Sequence, residues 1–196
     1  TQSSPPSSDG AYMCASTSKY VVEICAGTSS ALEYHSADPS AKLLAIDILP
    51  TAAFRRLLPE SIRSRITYCS CDVATLTPAK LCAITQRSWG IDPEHVQHVH
   101  HSHMCETLSK ADRKTPRHYT RAGRPHSATA KYHMRCLTQV MRTLTSAYTD
   151  PNRTLITCEN PNGRYKELDV IQRTSRLPGW QLHAPADDCS MANHLD

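Results

Sequence analysis

Residues 19–27 read KYVVEICAG, a short apolar run that ends in small residues and a glycine. Such a run, followed by a turn signal, is typical of a strand that is buried on both faces of a parallel sheet. Similar runs recur along the chain and predict further strands at residues 42–48, 65–73, 95–102 and 154–161, with a sixth candidate at 180–185. The folded domain is therefore expected to begin at Lys19.

Helical patterns separate these runs. The clearest lies in residues 127–148, where apolar side chains recur every three or four residues, as on one face of a helix: Met134, Leu137, Met141, Leu144 and Tyr148. Residues 78–90 begin with proline and end with glycine, the usual asymmetry of a helix. Shorter helices are expected over 29–37 and from a Thr51 cap to Leu58. This alternation predicts an α/β fold with a doubly wound, mostly parallel sheet.

Length and composition limit the domain organisation. The 196 residues suit one domain, here residues 19–196, preceded by a flexible Ser/Pro-rich arm over residues 1–18. No apolar run approaches the roughly 20 residues of a membrane-spanning helix, so a membrane partner is not expected. The nine cysteines are odd in number and several lie in apolar runs, which favours free thiols and an intracellular protein.

Acidic residues follow three successive predicted strands. Glu23 and Gly27 belong to the first, Asp47 ends the second and Asp72 ends the third. Ligands of such sheets bind at the carboxyl ends of the strands, where an acid can accept hydrogen bonds from a ribose diol or meet an adenine edge. A single glycine after the first strand argues against the three-glycine loop of NAD sites. Taken singly, each acid can also be a helix cap or a solvated loop end.

These residues resemble the cofactor half of an S-adenosylmethionine-dependent methyltransferase. The resemblance rests on VVEICAG at 21–27, the acid after the second strand and the Asp72-Val73 pair after the third. It implies that the loop after the first strand holds the methionine part of the cofactor and that the second acid holds the ribose hydroxyls. It also implies that the third acid binds the adenine amino group. The cofactor-binding residues implied are Glu23, Ala26, Gly27, Asp47, Asp72 and Val73.

Two later motifs resemble the catalytic motifs of DNA (cytosine-5) methyltransferases. HSHMCETLS at 101–109 is similar to the Ser-Pro-x-Cys-Thr-x-x-Ser loop of phage-type members, and CENPNG at 158–163 contains Glu-Asn-Pro. DDCSM at 187–191 resembles a Tyr-Cys-Met stretch of the same variants. The resemblance covers residues 19–191 and implies Cys105 and Glu159 as catalytic residues.

The residue types suit this reaction. Carbon 5 of cytosine is too electron-rich and hindered to take a methyl group directly, but a thiolate that adds to carbon 6 makes carbon 5 nucleophilic. A carboxyl group with a pKa raised by burial can protonate ring nitrogen 3 and stabilise that adduct. The base must first be flipped out of the duplex.

A basic segment lies between the two motifs. Residues 106–126 contain six basic and two acidic side chains, a net charge of +4 that equals that of the whole chain. A basic loop after the nucleophile is suited to gripping the phosphates of DNA or RNA, and a solvated surface loop is the alternative. The candidate nucleic-acid-binding residues are Lys110, Arg113, Lys114, Arg117, Arg121 and Arg124.

The sequence also departs from the family pattern. His103 and Met104 stand where the family has proline. The later strand, the target-recognition region and the C-terminal helix have no counterpart, so we expect a domain truncated at its C-terminal end. It would be a fragment of a larger chain, a half that pairs with another chain, or a degenerate relative. Two other functions stay open: an inactive module that binds nucleic acid or a partner, and a metal site of His101, His103 and Cys105. The preferred interpretation assigns no metal.

Overall fold

The computed structural model describes most of the chain between Lys19 and Trp180. The described residues are 19–27, 30–103, 107, 118–120, 124–150, 152–159 and 168–180. The predicted arm over residues 1–18, and residues 181–185 of the sixth strand candidate, lie outside them.

Five strands form one sheet in which all neighbours are parallel. They are β1 (Tyr20–Ile24), β2 (Lys42–Asp47), β3 (Ile66–Ser70), β4 (His98–Ser102) and β5 (Leu155–Glu159). Their spatial order is β3-β2-β1-β4-β5, so the direction of winding reverses between β1 and β4. We call this place the switch point. The predicted α/β, doubly wound sheet is confirmed.

In the described part of the chain, six α-helices accompany the sheet: α1 (Ser30–His35), α2 (Thr51–Leu57), α3 (Glu60–Arg63), α4 (Pro78–Trp89), α5 (Ala128–Ala147) and α6 (Asp169–Thr174). Alternate residues of each strand point to opposite faces of the sheet. Val22 of β1 packs in a core that includes residues of α4 and α5. Val21 packs in a second core that contains Leu32 of α1 and Phe54 of α2. β1 and β2 are therefore covered on both faces, which explains their largely apolar runs.

The two longest helices form where the sequence predicts them. The Thr77 hydroxyl accepts a hydrogen bond from the Lys80 N–H at the start of α4 (3.2 Å), and Gly90 ends that helix with φ of 72°. Ser127 caps α5 in the same way, through the Ala130 N–H (3.1 Å). On α5, Leu137 and Leu144 are fully buried, which confirms the amphipathic period.

The short helices depart from the predictions. Thr51 is the first residue of α2 and not its cap, because Pro50 occupies the cap position and makes no side-chain cap bond. The helix ends at Leu57. Pro59 then occupies the cap position of the short α3, which begins at Glu60. Neither α3 nor α6 is predicted by periodicity. Within the described ranges, every helix is too short or too polar to cross a bilayer.

Candidate functional site

The loop after β1 turns sharply at the switch point. Cys25 has φ of 59° and Gly27 has φ of 47°, both in the left-handed region that side chains other than glycine rarely adopt. A Cβ added at Gly27 would meet its nearest atom, the Cys25 carbonyl oxygen, at 4.0 Å. The glycine is therefore required by backbone conformation rather than by crowding. A non-glycine residue held in this conformation at a strand end is typical of a functional site.

Asp47 ties this loop to the end of β2. Its Oδ2 accepts a hydrogen bond from the Gly27 N–H (3.1 Å), and its Oδ1 accepts one from the Leu49 N–H (3.1 Å). The structure thus brings together Gly27 and Asp47, two of the predicted cofactor-binding residues. Each carboxylate oxygen can accept more than one hydrogen bond, so both keep capacity for a ligand.

Glu23 is completely buried beneath this loop. Its Oε2 accepts a hydrogen bond from the Leu32 N–H of α1 (3.3 Å), while its Oε1 has no hydrogen-bond partner in the part of the chain that the structure describes. Burial raises the pKa of Glu23 from 4.5 to about 7, against the opposing effect of the Leu32 and Ala31 N–H groups, and the Asp47 charge raises it further. A buried acceptor without a partner is a place where a ligand donor would be favourable.

Asp72 is held by groups on two elements. Its Oδ1 accepts hydrogen bonds from the Ala74 N–H (2.9 Å) and from the Tyr132 hydroxyl of α5 (2.8 Å). Asp72 therefore caps a short 3₁₀ turn, Val73–Thr75. A helix cap was the alternative to a ligand role that the sequence left open for this residue. Its second oxygen accepts no hydrogen bond from the described residues. The Val73 side chain is buried in the core, 3% exposed.

The Cys25 thiol lies within electrostatic range of all three acids. Burial is the main cause that raises the pKa of this thiol, and the charges of Asp47, Asp72 and Glu23 each raise it further. The Cys71 N–H donates to the Asp47 carbonyl oxygen (2.7 Å), which places the segment that carries Asp72 beside the end of β2. Glu23 near the end of β1, Asp47 at the end of β2 and Asp72, two residues after β3, therefore lie at the same edge of the sheet. Ala26, in the same loop, is 3% exposed.

Glu159 ends β5 beside the end of β4. It is the register partner of Ser102, and its carbonyl oxygen accepts a hydrogen bond from the His103 N–H (3.3 Å). Burial raises the pKa of its half-buried carboxyl group. Cys105, the predicted nucleophile, follows two residues after His103 but lies outside the described residues.

Of the basic segment, the structure describes residues 107, 118–120 and 124–126. Lys110, Arg113, Lys114, Arg117 and Arg121 lie outside the described residues. Arg124 is exposed in a turn, where its carbonyl oxygen accepts a hydrogen bond from the Thr120 N–H (2.8 Å). Tyr119, which the sequence did not single out, is 2% exposed and packs against α5 and α6. This part of the segment is therefore docked on the domain.

Histidines occupy both faces of β4. His101 and His103 lie on the same face, as predicted, and their ring centroids are 5.6 Å apart. This face points towards α5, where the His133 ring lies 6.1 Å from that of His103. Burial lowers the pKa of both His101 and His103. Among the described residues, no three His, Cys, Asp or Glu side chains are grouped to hold a metal. Cys105, the third ligand of the metal hypothesis, is outside them.

Two open surface cavities lie away from these residues. One, of about 450 Å³, is lined by Cys82 of α4 and by residues 92–94. The other, of about 310 Å³, lies between the end of α5 and the start of β5. Neither is lined by a predicted site residue, so the strand ends remain the better candidate on chemical grounds.

Comparison with protein-family models gives no match for this chain, and comparison with curated proteins gives none.

Proposed function

We propose that this chain is a DNA (cytosine-5) methyltransferase-like domain that transfers a methyl group from S-adenosylmethionine to cytosine through a Cys105 adduct. The observation that carries the proposal is the hydrogen bonding of Asp47 on both sides at the switch point. Its carboxylate accepts from the Gly27 N–H in the loop after Glu23 (3.1 Å), and its carbonyl oxygen accepts from the Cys71 N–H beside Asp72 (2.7 Å). Doubly wound sheets bind nucleosides at this place. The resemblance of the two later motifs adds the class of reaction.

The described residues fit the cofactor. Glu23 offers a buried oxygen that has no hydrogen-bond partner among the described residues, which suits an ammonium group. Asp47 is partly exposed, and each of its oxygens accepts one backbone N–H and keeps capacity for one hydroxyl of a ribose diol. The second oxygen of Asp72 suits an adenine amino group. When bound, S-adenosylmethionine would supply an electrophilic methyl group.

Glu159 supports the acid role in the proposal. Its raised pKa favours a protonated carboxyl group, which can donate to ring nitrogen 3 of cytosine. The thiolate of Cys105 would form a bond to carbon 6, and the ring electrons would pass to carbon 5, which then takes the methyl group. Water would then accept the carbon-5 proton, the thiolate of Cys105 would leave carbon 6, and ring nitrogen 3 would return its proton to Glu159, which restores the aromatic base. Nucleic acid would be gripped by the basic segment over residues 106–126.

The chemical step is tested with a DNA duplex that carries 5-fluorocytosine. Fluorine replaces the proton that must leave carbon 5, so an active enzyme stays covalently attached and migrates as a heavier band on a denaturing gel. We expect an adduct with the wild type, none with Cys105→Ser and slower formation with Glu159→Gln. Cys82→Ser changes another thiol and should leave the adduct unaffected.

The cofactor site is tested by calorimetric titration with S-adenosylmethionine. Asp47→Ala should weaken binding by about 1.5–3 kcal/mol, the usual contribution of hydrogen bonds to a charged group. Asp47→Asn keeps an acceptor for the Gly27 N–H and separates the effect of the loop from that of the ligand. Binding of cofactor and DNA without an adduct would identify an inactive binding module, whereas absence of cofactor binding would overturn the proposal.

A further inference from the structure

The face of β4 that points towards α1 carries a continuous chain of hydrogen-bonded polar side chains. His35 Nε2 lies 2.6 Å from His98 Nδ1, and His98 Nε2 lies 2.8 Å from the Thr157 hydroxyl. The same hydroxyl lies 2.8 Å from His100 Nδ1, and His100 Nε2 lies 2.9 Å from the Ser102 hydroxyl. We call these five residues the histidine chain. They join α1, β4 and β5.

The two ends of the histidine chain lie in different surroundings. His35 is buried, with only 8% of its surface exposed to solvent, and Lys19 and Asp38 are the charged groups near it. At the other end, Ser102 is the register partner of Glu159 on β5, and both are partly exposed at the carboxyl edge of the sheet. The backbones of register partners in neighbouring strands lie about 5 Å apart and their side chains share a face of the sheet, so one bridging water could join the Ser102 hydroxyl to the Glu159 carboxyl group.

The donors and acceptors of the chain are coupled to one another. Burial lowers the pKa of His98 to about 4 and also lowers that of His100, so both rings are neutral near pH 7. A neutral imidazole has one donor and one acceptor nitrogen, and a hydroxyl has one proton to donate. The Thr157 hydroxyl lies between two rings and can donate to only one of them. The hydrogen bonds of the histidine chain can therefore all be donated from His35 towards Ser102, or all from Ser102 towards His35. Passage of one proton along the histidine chain converts the first arrangement into the second.

We propose that the histidine chain conducts protons between solvent at His35 and the carboxyl group of Glu159. This inference rests on the proposed function, in which Glu159 must hold a proton before it can donate to ring nitrogen 3 of a bound base. One proton enters His35 from water, each group passes one to the next, and Ser102 delivers one to Glu159. Only N–H and O–H bonds form and break, and no charge accumulates on the rings.

A purely structural role would not need this arrangement. Residues of a central parallel strand are usually apolar, and an isolated buried polar group is satisfied by one or two bonds. Here three rings and two hydroxyls are bonded end to end without a branch. The chain also runs along the strand towards the edge where the acid lies.

The test uses the whole protein with ¹⁵N-labelled histidine and follows the tautomers by NMR while pH is varied. In the wild type, ionisation of Glu159 should shift the nitrogen signals of His100, His98 and His35 together. Thr157→Val removes the central hydroxyl at constant shape, and the response should be lost at His98 and His35. Thr157→Ser restores a hydroxyl and should restore the response. In Glu159→Gln, which does not titrate at residue 159, the shared shift should be absent.

The outcomes separate this inference from the proposed function. Signals of His98 and His35 that ignore Glu159 in the wild type, or that respond equally in Thr157→Val, would overturn proton conduction. The measurement needs neither cofactor nor DNA. A coupled chain in a protein that forms no 5-fluorocytosine adduct would therefore leave the chain standing and reject the enzyme. An adduct in a protein whose histidine signals do not respond to Glu159 would support the enzyme and reject proton conduction.

Discussion

Glu23→Gln should change the dependence of stability on pH in a direction that the structure fixes. Glu23 is fully buried, and the oxygen that has no described partner makes ionisation costly. Glutamine has nearly the same shape and can still accept from the Leu32 N–H through its amide oxygen. The substitution therefore removes the charge and keeps the packing.

The magnitude follows from the pKa of Glu23. The pKa rises from 4.5 to about 7 on folding, and one pKa unit corresponds to about 1.4 kcal/mol, so the linked free energy is about 3 kcal/mol. The folded protein holds this proton more tightly than the unfolded chain. Its stabilising contribution is thus complete below pH 4.5 and is lost as pH rises to about 7. Above that pH, the wild type bears the full cost of a buried charge.

Urea unfolding of both proteins between pH 4 and pH 8 measures this effect. The free energy of unfolding of Glu23→Gln, relative to the wild type, should rise by about 3 kcal/mol across that range. Other groups titrate equally in both proteins and cancel. Glu33→Gln, a change to an exposed carboxylate on α1, controls for the loss of a negative charge. A difference that stays constant with pH would refute the buried ionisation of Glu23.

The same group gives a signature of ligand binding. A cationic ligand beside Glu23 favours its charged form, so binding near pH 6 should release a proton. Calorimetry in buffers of different ionisation enthalpy detects that proton, and Glu23→Gln should release none. Equal proton release by the wild type and by Glu23→Gln would mean that the cationic group of the ligand does not bind beside Glu23.

The sheet and the long helices could be predicted from the sequence because their causes are local. Strands buried on both faces must be apolar throughout, and Thr77 with Gly90 marks both ends of α4. The short helices have a different cause. Ile62 of α3 and Ile171 of α6 are buried, so these segments are stabilised by contacts with the rest of the fold. A segment of four or six residues is too short to show a period.

The positions of the acids could be predicted, but their contacts could not. The sequence indicates which residues follow a strand, and parallel strands bring those residues to one edge of the sheet. It does not indicate that Tyr132, which lies 60 residues after Asp72, donates to it. The bond between His35 and His98 joins residues 63 apart in the same way. The alternation along β4 separates its histidines into two sets, but which helix meets each set is decided by the packing of the whole domain.

Two further predictions concern these long-range contacts. Tyr132→Phe removes the donor to Asp72 and should destabilise the protein by about 1–2 kcal/mol in urea unfolding, whereas Tyr34→Phe, at an exposed tyrosine, should have little effect. Burial is the main cause that lowers the pKa of His35 and His98 from 6.5 to about 4, and a proton on either ring would repel one on the other. The unfolded chain therefore binds protons first, and stability should be complete above pH 6.5 and fall between pH 6.5 and 4. Because the two rings share a hydrogen bond and titrate as a coupled pair, we expect the pair to lose about 3 kcal/mol, the equivalent of one such shift and not of two. Urea unfolding should show this loss of stability in the wild type and a smaller loss in His98→Gln. Equal losses in the two proteins would mean that His98 does not contribute to the pH dependence.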